Sequence, residues 1–160
     1  KLSSLVGPTG TVIAFEPDPD TFALLSRNIE VNKLDNVICV PKAVGSSTHN
    51  VAMKRNWWNT ANTHVVQGDG DFTIGCTSLD EYLGDSNTVD FILIDAEGYE
   101  TPILQGMVNT IKKNPNLRIL TEYGLSDQSF FQEASKYFSF TLLDHGDNSG
   151  RMILKRKLKL

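Results

Sequence analysis

Residues 89–94, Val-Asp-Phe-Ile-Leu-Ile, are the most hydrophobic short run in the chain. Their branched and aromatic side chains fall on both sides of an extended backbone, which predicts a strand buried on both faces at the centre of a parallel sheet. Similar but weaker runs occur at 11–15, 37–40 and 117–120. Between them apolar residues recur at helical spacing: Phe22, Leu25 and Ile29, then Ile103, Met107 and Ile111, then Phe130 and Ala134. Strands that alternate with helices need crossover connections, and right-handed crossovers place helices on both faces. The expected fold is therefore α/β, a Rossmann-like, doubly wound and mostly parallel sheet. Runs at 140–143 and 152–155, around the Gly146–Gly150 turn, close it with a C-terminal antiparallel hairpin.

The 160 residues suffice for one compact domain, and 40% apolar with 21% charged is the composition of a globular protein. A formal net charge of -4 disfavours a surface built to neutralise phosphates, so nucleic acid is not an expected partner. No apolar run reaches the roughly 20 residues of a membrane helix, so no membrane partner is expected either. Cys39 and Cys76 lie far apart in strand-like runs and suggest buried thiols in a reducing, cytoplasmic setting. His49, His64 and His145 lack metal-ligand spacing, and no metal is expected. Nothing in the sequence sets an oligomeric state.

Local signals refine the path. Residues 16–20, Glu-Pro-Asp-Pro-Asp, read as a turn into a helix that ends near Asn32, with Glu16 either a cap or a ligand-binding acid. Ser78 and Glu81 have capping-box spacing, which predicts a short helix over 79–83. Another helix should run from about residue 100 past Met107 to Lys113 and stop at Asn114-Pro115. Short strands at 51–55, 64–67 and 72–76 make residues 50–76 a strand or hairpin insertion. There, Trp57 and Trp58 beside Asn56, Asn59 and Asn62 could stack on a sugar ring. The basic residues Lys155, Arg156, Lys157 and Lys159 read as a solvated final strand and tail.

Ligands of such folds bind at the carboxyl ends of the strands. Those ends carry Glu16, Ala43, Asp95 with Glu97, and Glu122. Glu16 can accept both hydroxyls of a ribose. Asp95, Glu97 and Glu100 would repel one another unless a cation, a donor-rich ligand or backbone amides compensate. Asp95 and Glu122 are hard oxygen donors that could share Mg²⁺, a weaker reading than the metal-free one.

The blocks Val12–Pro17 with Asn28 and Asn32, Thr77–Leu83, Val89–Glu100 and Ile119–Tyr123 together resemble the FkbM-type methyltransferases over nearly the whole chain. The resemblance implies a class I S-adenosylmethionine-dependent methyltransferase acting on a hydroxyl oxygen of a sugar or natural-product acceptor. It implies that Glu16 holds the cosubstrate ribose, that Ala43 and Val44 lie beside the adenine, and that Asp95 lines the mouth where methyl transfer occurs. Glu97 would orient the acceptor hydroxyl or take its proton, since an alcohol is a poor nucleophile at neutral pH. Leu93 stands where members often carry lysine.

The glycine-rich loop of such proteins is missing, and Leu2, Leu5 and Val6 look like the last turns of a helix. The expectation is a single domain over 1–160, partial at its N-terminus, with a first strand and glycine loop missing. The absent strand would lie between the Val12 and Val89 strands. A nicotinamide-dependent oxidoreductase and a degenerate, non-catalytic binding domain are the alternatives.

Overall fold

The computed structural model describes every residue except 57, 59–62, 86–87, 125–127, 146–148 and 158–160, and every described side chain except those of 123, 124, 145 and 149. In chain order, α1 (Leu2–Val6) leads to β1 (Val12–Phe15), α2 (Pro19–Val31), β2 (Val37–Val40) and β3 (Ala43–Val44). Then come β4 (His49–Lys54), β5 (His64–Val66), β6 (Phe72–Thr77) and α3 (Leu79–Leu83). The second half holds β7 (Phe91–Ile94), α4 (Glu100–Gln105), α5 (Val108–Lys113), β8 (Arg118–Gly124), α6 (Gln128–Ser135), β9 (Phe138–His145) and β10 (Ser149–Arg156).

These strands form three sheets. β1 and β2 are a parallel pair, with Val12 opposite Val37 and Phe15 opposite Val40. β7 runs parallel to β8, and β10 lies between β8 and β9, antiparallel to both, as the expected closing hairpin. The third sheet has the order β3-β6-β4-β5. Within it β3 and β6 are parallel and the other pairs antiparallel.

The larger core lies under β7, β8 and β10. Ile94, Ile119, Met152 and Leu154 pack against Leu104, Met107 and Ile111 on one element pair and Phe130 and Ala134 on α6. A smaller core of Ala43, Val51, Met53 and Cys76 belongs to the third sheet. The strands of the expected 50–76 insertion, β4, β5 and β6, build a sheet with β3, and Val51, Met53 and Cys76 share its core with Ala43. Cys76 is buried as expected and Cys39 half-buried, both as free thiols.

Three expectations need correction. First, β7 is not central. Among the described residues it pairs only with β8, as β1 pairs only with β2, so each strand keeps one open flank and Phe91 and Leu93 stay 45% and 52% exposed. Second, the helix expected to run unbroken to Lys113 is two, α4 and α5, divided at Gly106. A Cβ there would sit 1.9 Å from the Gly45 carbonyl oxygen, so the backbone passes too close for any side chain. The Gly106 carbonyl accepts the Asp80 N–H at 2.9 Å, and the Asp80 carboxylate accepts the N–H groups of Asn109 and Thr110, which starts α5 afresh. Ile103, Met107 and Ile111 are nonetheless all buried.

Third, the basic C-terminal residues are partly engaged. Arg156 donates to the carbonyls of Ile111 and Lys112 at the end of α5, and Lys157 to that of Ser135 at the end of α6, where cations satisfy otherwise unpaired carbonyls. Lys159 lies outside the described residues. The capping box at α3 is also only half made. Ser78 Oγ accepts the Glu81 N–H at 3.1 Å, while the Glu81 carboxylate turns outward to the Thr48 hydroxyl.

Candidate active site

Glu16 follows β1 directly, and its N–H extends the ladder by donating to the Val40 carbonyl at 3.1 Å. Its carboxylate accepts the Asp18 N–H at 2.9 Å, its only side-chain hydrogen bond among the described residues. Burial pushes the Glu16 carboxyl above its ordinary range and the Asp18 charge adds to that, against the one backbone bond. The helix cap is Asp18 instead, accepting from the N–H groups of Asp20 and Thr21 at 2.9 and 3.3 Å.

Asp18 is only 4% exposed and is bound by Arg55 at 2.7 and 3.1 Å. Burial raises its pKa, yet the guanidinium and the two backbone bonds outweigh that and hold it below the usual value. Arg55 also reaches Asp20 at 3.0 Å and lies 4.9 Å over the Phe72 ring. This ion pair ties the third sheet to the start of α2.

Ala43 is 5% exposed within the smaller core, and Val44 packs on the larger one, so β3 forms part of the seam between them. A Cβ on the next residue, Gly45, would lie 2.8 Å from the Cys76 sulfur and 3.1 Å from the Tyr99 ring. The seam is therefore closed by Tyr99, from the loop after β7.

That loop also carries Asp95 and Glu97, both exposed. Backbone amides answer part of its charge problem: the buried Glu100 carboxylate accepts the N–H groups of Ala96 and Gly98 at 3.1 and 3.4 Å. The loop turns through left-handed backbone at Glu97 (φ 50) and Gly98 (φ 93), and such a conformation at a non-glycine residue is strained. Although Glu97 is exposed, partial desolvation of its carboxyl, then the charges of Asp95, Glu122 and Glu100, raise its pKa, while His64 on β5 eases it. The loop after β7, the end of β8 and β5 thus meet at Glu97.

Glu16 and Glu97 have separate electrostatic surroundings: Asp18 acts on the former, and Asp95, Glu122, Glu100 and His64 on the latter. No group of three or more His, Cys, Asp or Glu side chains able to hold a metal ion occurs among the described residues. Of the expected sugar-stacking lip, Trp58 stands 98% exposed and its N–H donates to the Asn56 side-chain oxygen at 3.1 Å, while Trp57, Asn59 and Asn62 lie outside the described residues. A cavity of about 420 Å³ opens instead between β4, β5 and Tyr99.

Sequence reasoning missed Asp18 as the cap, Arg55 as its partner, and the positions of His64 and Tyr99. Asp18 had a legible signal, an acid between two prolines ahead of an amphipathic run. Arg55 had none, being 37 residues away and joined only through the sheet.

No described helix is long and apolar enough to cross a membrane. The chain resembles the crystal structure of the methyltransferase FkbM from Methylobacillus flagellatus, with a TM-score of 0.60, 18% identity, and coverage of 96% of this chain and 39% of that one. An rRNA methylase from Streptococcus thermophilus aligns with a TM-score of 0.57 at 10% identity, covering 97% and 78% of the two chains. These likenesses establish a methyltransferase-type Rossmann-like fold.

In sequence, the hexuronic acid methyltransferase AglP of Haloferax volcanii is 32% identical over 103 residues, which span 63% of this chain and 43% of that protein. Methyltransferase 1 of Beauveria bassiana is 24% identical over 124 residues, 62% of this chain and 50% of that one. The chain thus spans half or less of the length of these curated relatives. The methyltransferase FkbM domain model matches residues 1–149, and the chain belongs to that family.

Proposed function

We propose that this chain contributes to an S-adenosylmethionine-dependent methyl transfer onto a hydroxyl oxygen of a sugar or natural-product acceptor. The observation that carries the reading is Glu16, a half-buried carboxylate at a parallel strand's carboxyl end, with one backbone hydrogen bond and no cation on it among the described residues. Such a group has acceptor capacity left for the two hydroxyls of a ribose, which fits that part of the cosubstrate.

When bound, S-adenosylmethionine supplies a methyl carbon already activated by its sulfonium. The residues have simpler tasks. Glu16 binds the ribose diol, Ala43 and Val44 flank the adenine, and Asp95 lines the mouth of the site. Glu97 orients the acceptor hydroxyl and accepts its proton, a role suited to a carboxylate whose pKa burial and neighbouring acids have raised. The sugar acceptor is supported by the likeness to a hexuronic acid methyltransferase. The net charge of -4 argues against a nucleic-acid acceptor.

Calorimetric titration of the protein with S-adenosylmethionine, beside a Glu16→Gln variant, tests the reading. Loss of hydrogen bonds to a charged acceptor should weaken binding about tenfold or more. Equal affinities in the two proteins would remove Glu16 from the site.

A further inference from the structure

The cavity between β4, β5 and Tyr99 has a composition that the proposed transfer does not by itself require. Val51, Ala52, Val65 and Val66 give it an apolar lining, Asn50 and Gln67 bring amides, and Tyr99 supplies an aromatic ring. Its volume of about 420 Å³ lies in the range of small-molecule sites. Among the described residues, neither lysine nor arginine lines it. The two cations that end β4 and begin the following segment are directed elsewhere: Lys54 to Asp71 at 2.9 Å, and Arg55 to Asp18 and Asp20.

Tyr99 connects this cavity to the proposed chemistry. It ends the short loop that carries Asp95 and Glu97, and its ring packs beside Gly45 at the end of β3. A ligand resting against Tyr99 would lie next to a loop with two exposed carboxylates. Those charges repel a third carboxylate brought into the same region, and among the described residues no lysine or arginine in the lining offsets them. A neutral ring faces no such cost. It can lay an apolar face on the valines or the tyrosine and give its hydroxyls to the amides.

We propose that this cavity is the acceptor subsite and that it selects an uncharged, hydroxyl-bearing ring, a neutral glycoside, over a sugar acid. The assignment rests on the methyl-transfer reading and departs from what the hexuronic acid relative would suggest.

Saturation-transfer NMR on the protein at pH 8, where an imidazole is ordinarily neutral, tests it with two probes, methyl glucoside and its glucuronic acid counterpart. S-adenosylmethionine binding is measured in the same samples. The neutral glycoside should bind at least about tenfold more tightly than the acid. Gln67→Ala, at an exposed position that should leave folding intact, and Tyr99→Phe together with Tyr99→Ala should separate hydrogen bonding from stacking. Gln67→Ala and Tyr99→Ala should each weaken the glycoside several-fold, and Tyr99→Phe much less.

Equal or tighter binding of the acid overturns the selectivity. Glycoside binding untouched by Gln67→Ala and Tyr99→Ala, or no glycoside binding in a sample that binds S-adenosylmethionine, overturns the subsite. Glycoside binding that obeys the variants in a protein unable to bind S-adenosylmethionine supports the subsite and contradicts the methyl-transfer reading instead.

Discussion

Glu16 and Asp18 are two residues apart and burial raises the pKa of both, but the Arg55 guanidinium and two backbone N–H groups on Asp18 outweigh it there, so the two have opposite linkage to folding. Asp18 has a depressed pKa, so its ionised form stabilises the fold above its ordinary value near 3.8, and that stability is lost as pH falls through the lower folded value. Glu16 has a raised pKa. Its burial costs nothing below its ordinary value near 4.5, and the penalty is complete once pH exceeds the folded value. Asp18→Ala should therefore destabilise the protein at pH 7 by about 2–4 kcal/mol, through a lost helix cap and an Arg55 left without its buried partner. That loss should shrink in denaturant titrations repeated below pH 4. Glu16→Gln should raise the melting temperature of the ligand-free protein at pH 7 and leave it unchanged near pH 3. Glu16 was legible in the sequence because it directly follows an apolar run. The Asp18–Arg55 pair was not, because its two halves meet only after two sheets have formed.

Among the elements, β1, α2, β2, α3, β8 and the closing hairpin could be read from apolar spacing and turn residues, since each is locally consistent. The division of α4 from α5 could not. Apolar spacing continues through Gly106; what divides the helix is Asp80, whose N–H binds the Gly106 carbonyl and whose carboxylate starts α5, while the Gly45 carbonyl leaves no room for a side chain at the break. Gly106→Ala should accordingly cost about 2–3 kcal/mol or more, because a methyl group would have to displace backbone. Gly75→Ala, where an added Cβ meets nothing within 4 Å, should change stability far less. Thermal denaturation of the two variants side by side gives the comparison. The acidic loop after β7 follows the same logic. Its sequence announced a charge problem, but only the structure shows that Glu100 turns inward to accept two backbone N–H groups while Asp95 and Glu97 stay outside.

At the scale of the molecule, two hydrophobic cores meet at β3, Gly45, Gly106 and Tyr99, and the Arg55–Asp18 pair adds a polar link near the start of α2. The parallel α/β class was legible, and so was the gap between β1 and β7; the separate sheet of β3, β6, β4 and β5 was not, because strand pairing depends on partners that the apolar pattern cannot specify. β8 and β10 are flanked on both sides, whereas β7 has one open flank among the described residues. Hydrogen exchange should therefore be slowest in β8 and β10, with β7 amides on the open side exchanging faster. Uniform protection across these strands would show that β7 has a partner in solution. The proposed methyl transfer requires the acids after β1 and β7 to serve one ligand. A crystal structure of the protein with S-adenosylhomocysteine tests this directly: the ribose hydroxyls should lie on the Glu16 carboxylate with the sulfur turned toward Asp95. A nucleoside bound away from Glu16, or a sulfur facing away from the loop after β7, would contradict it.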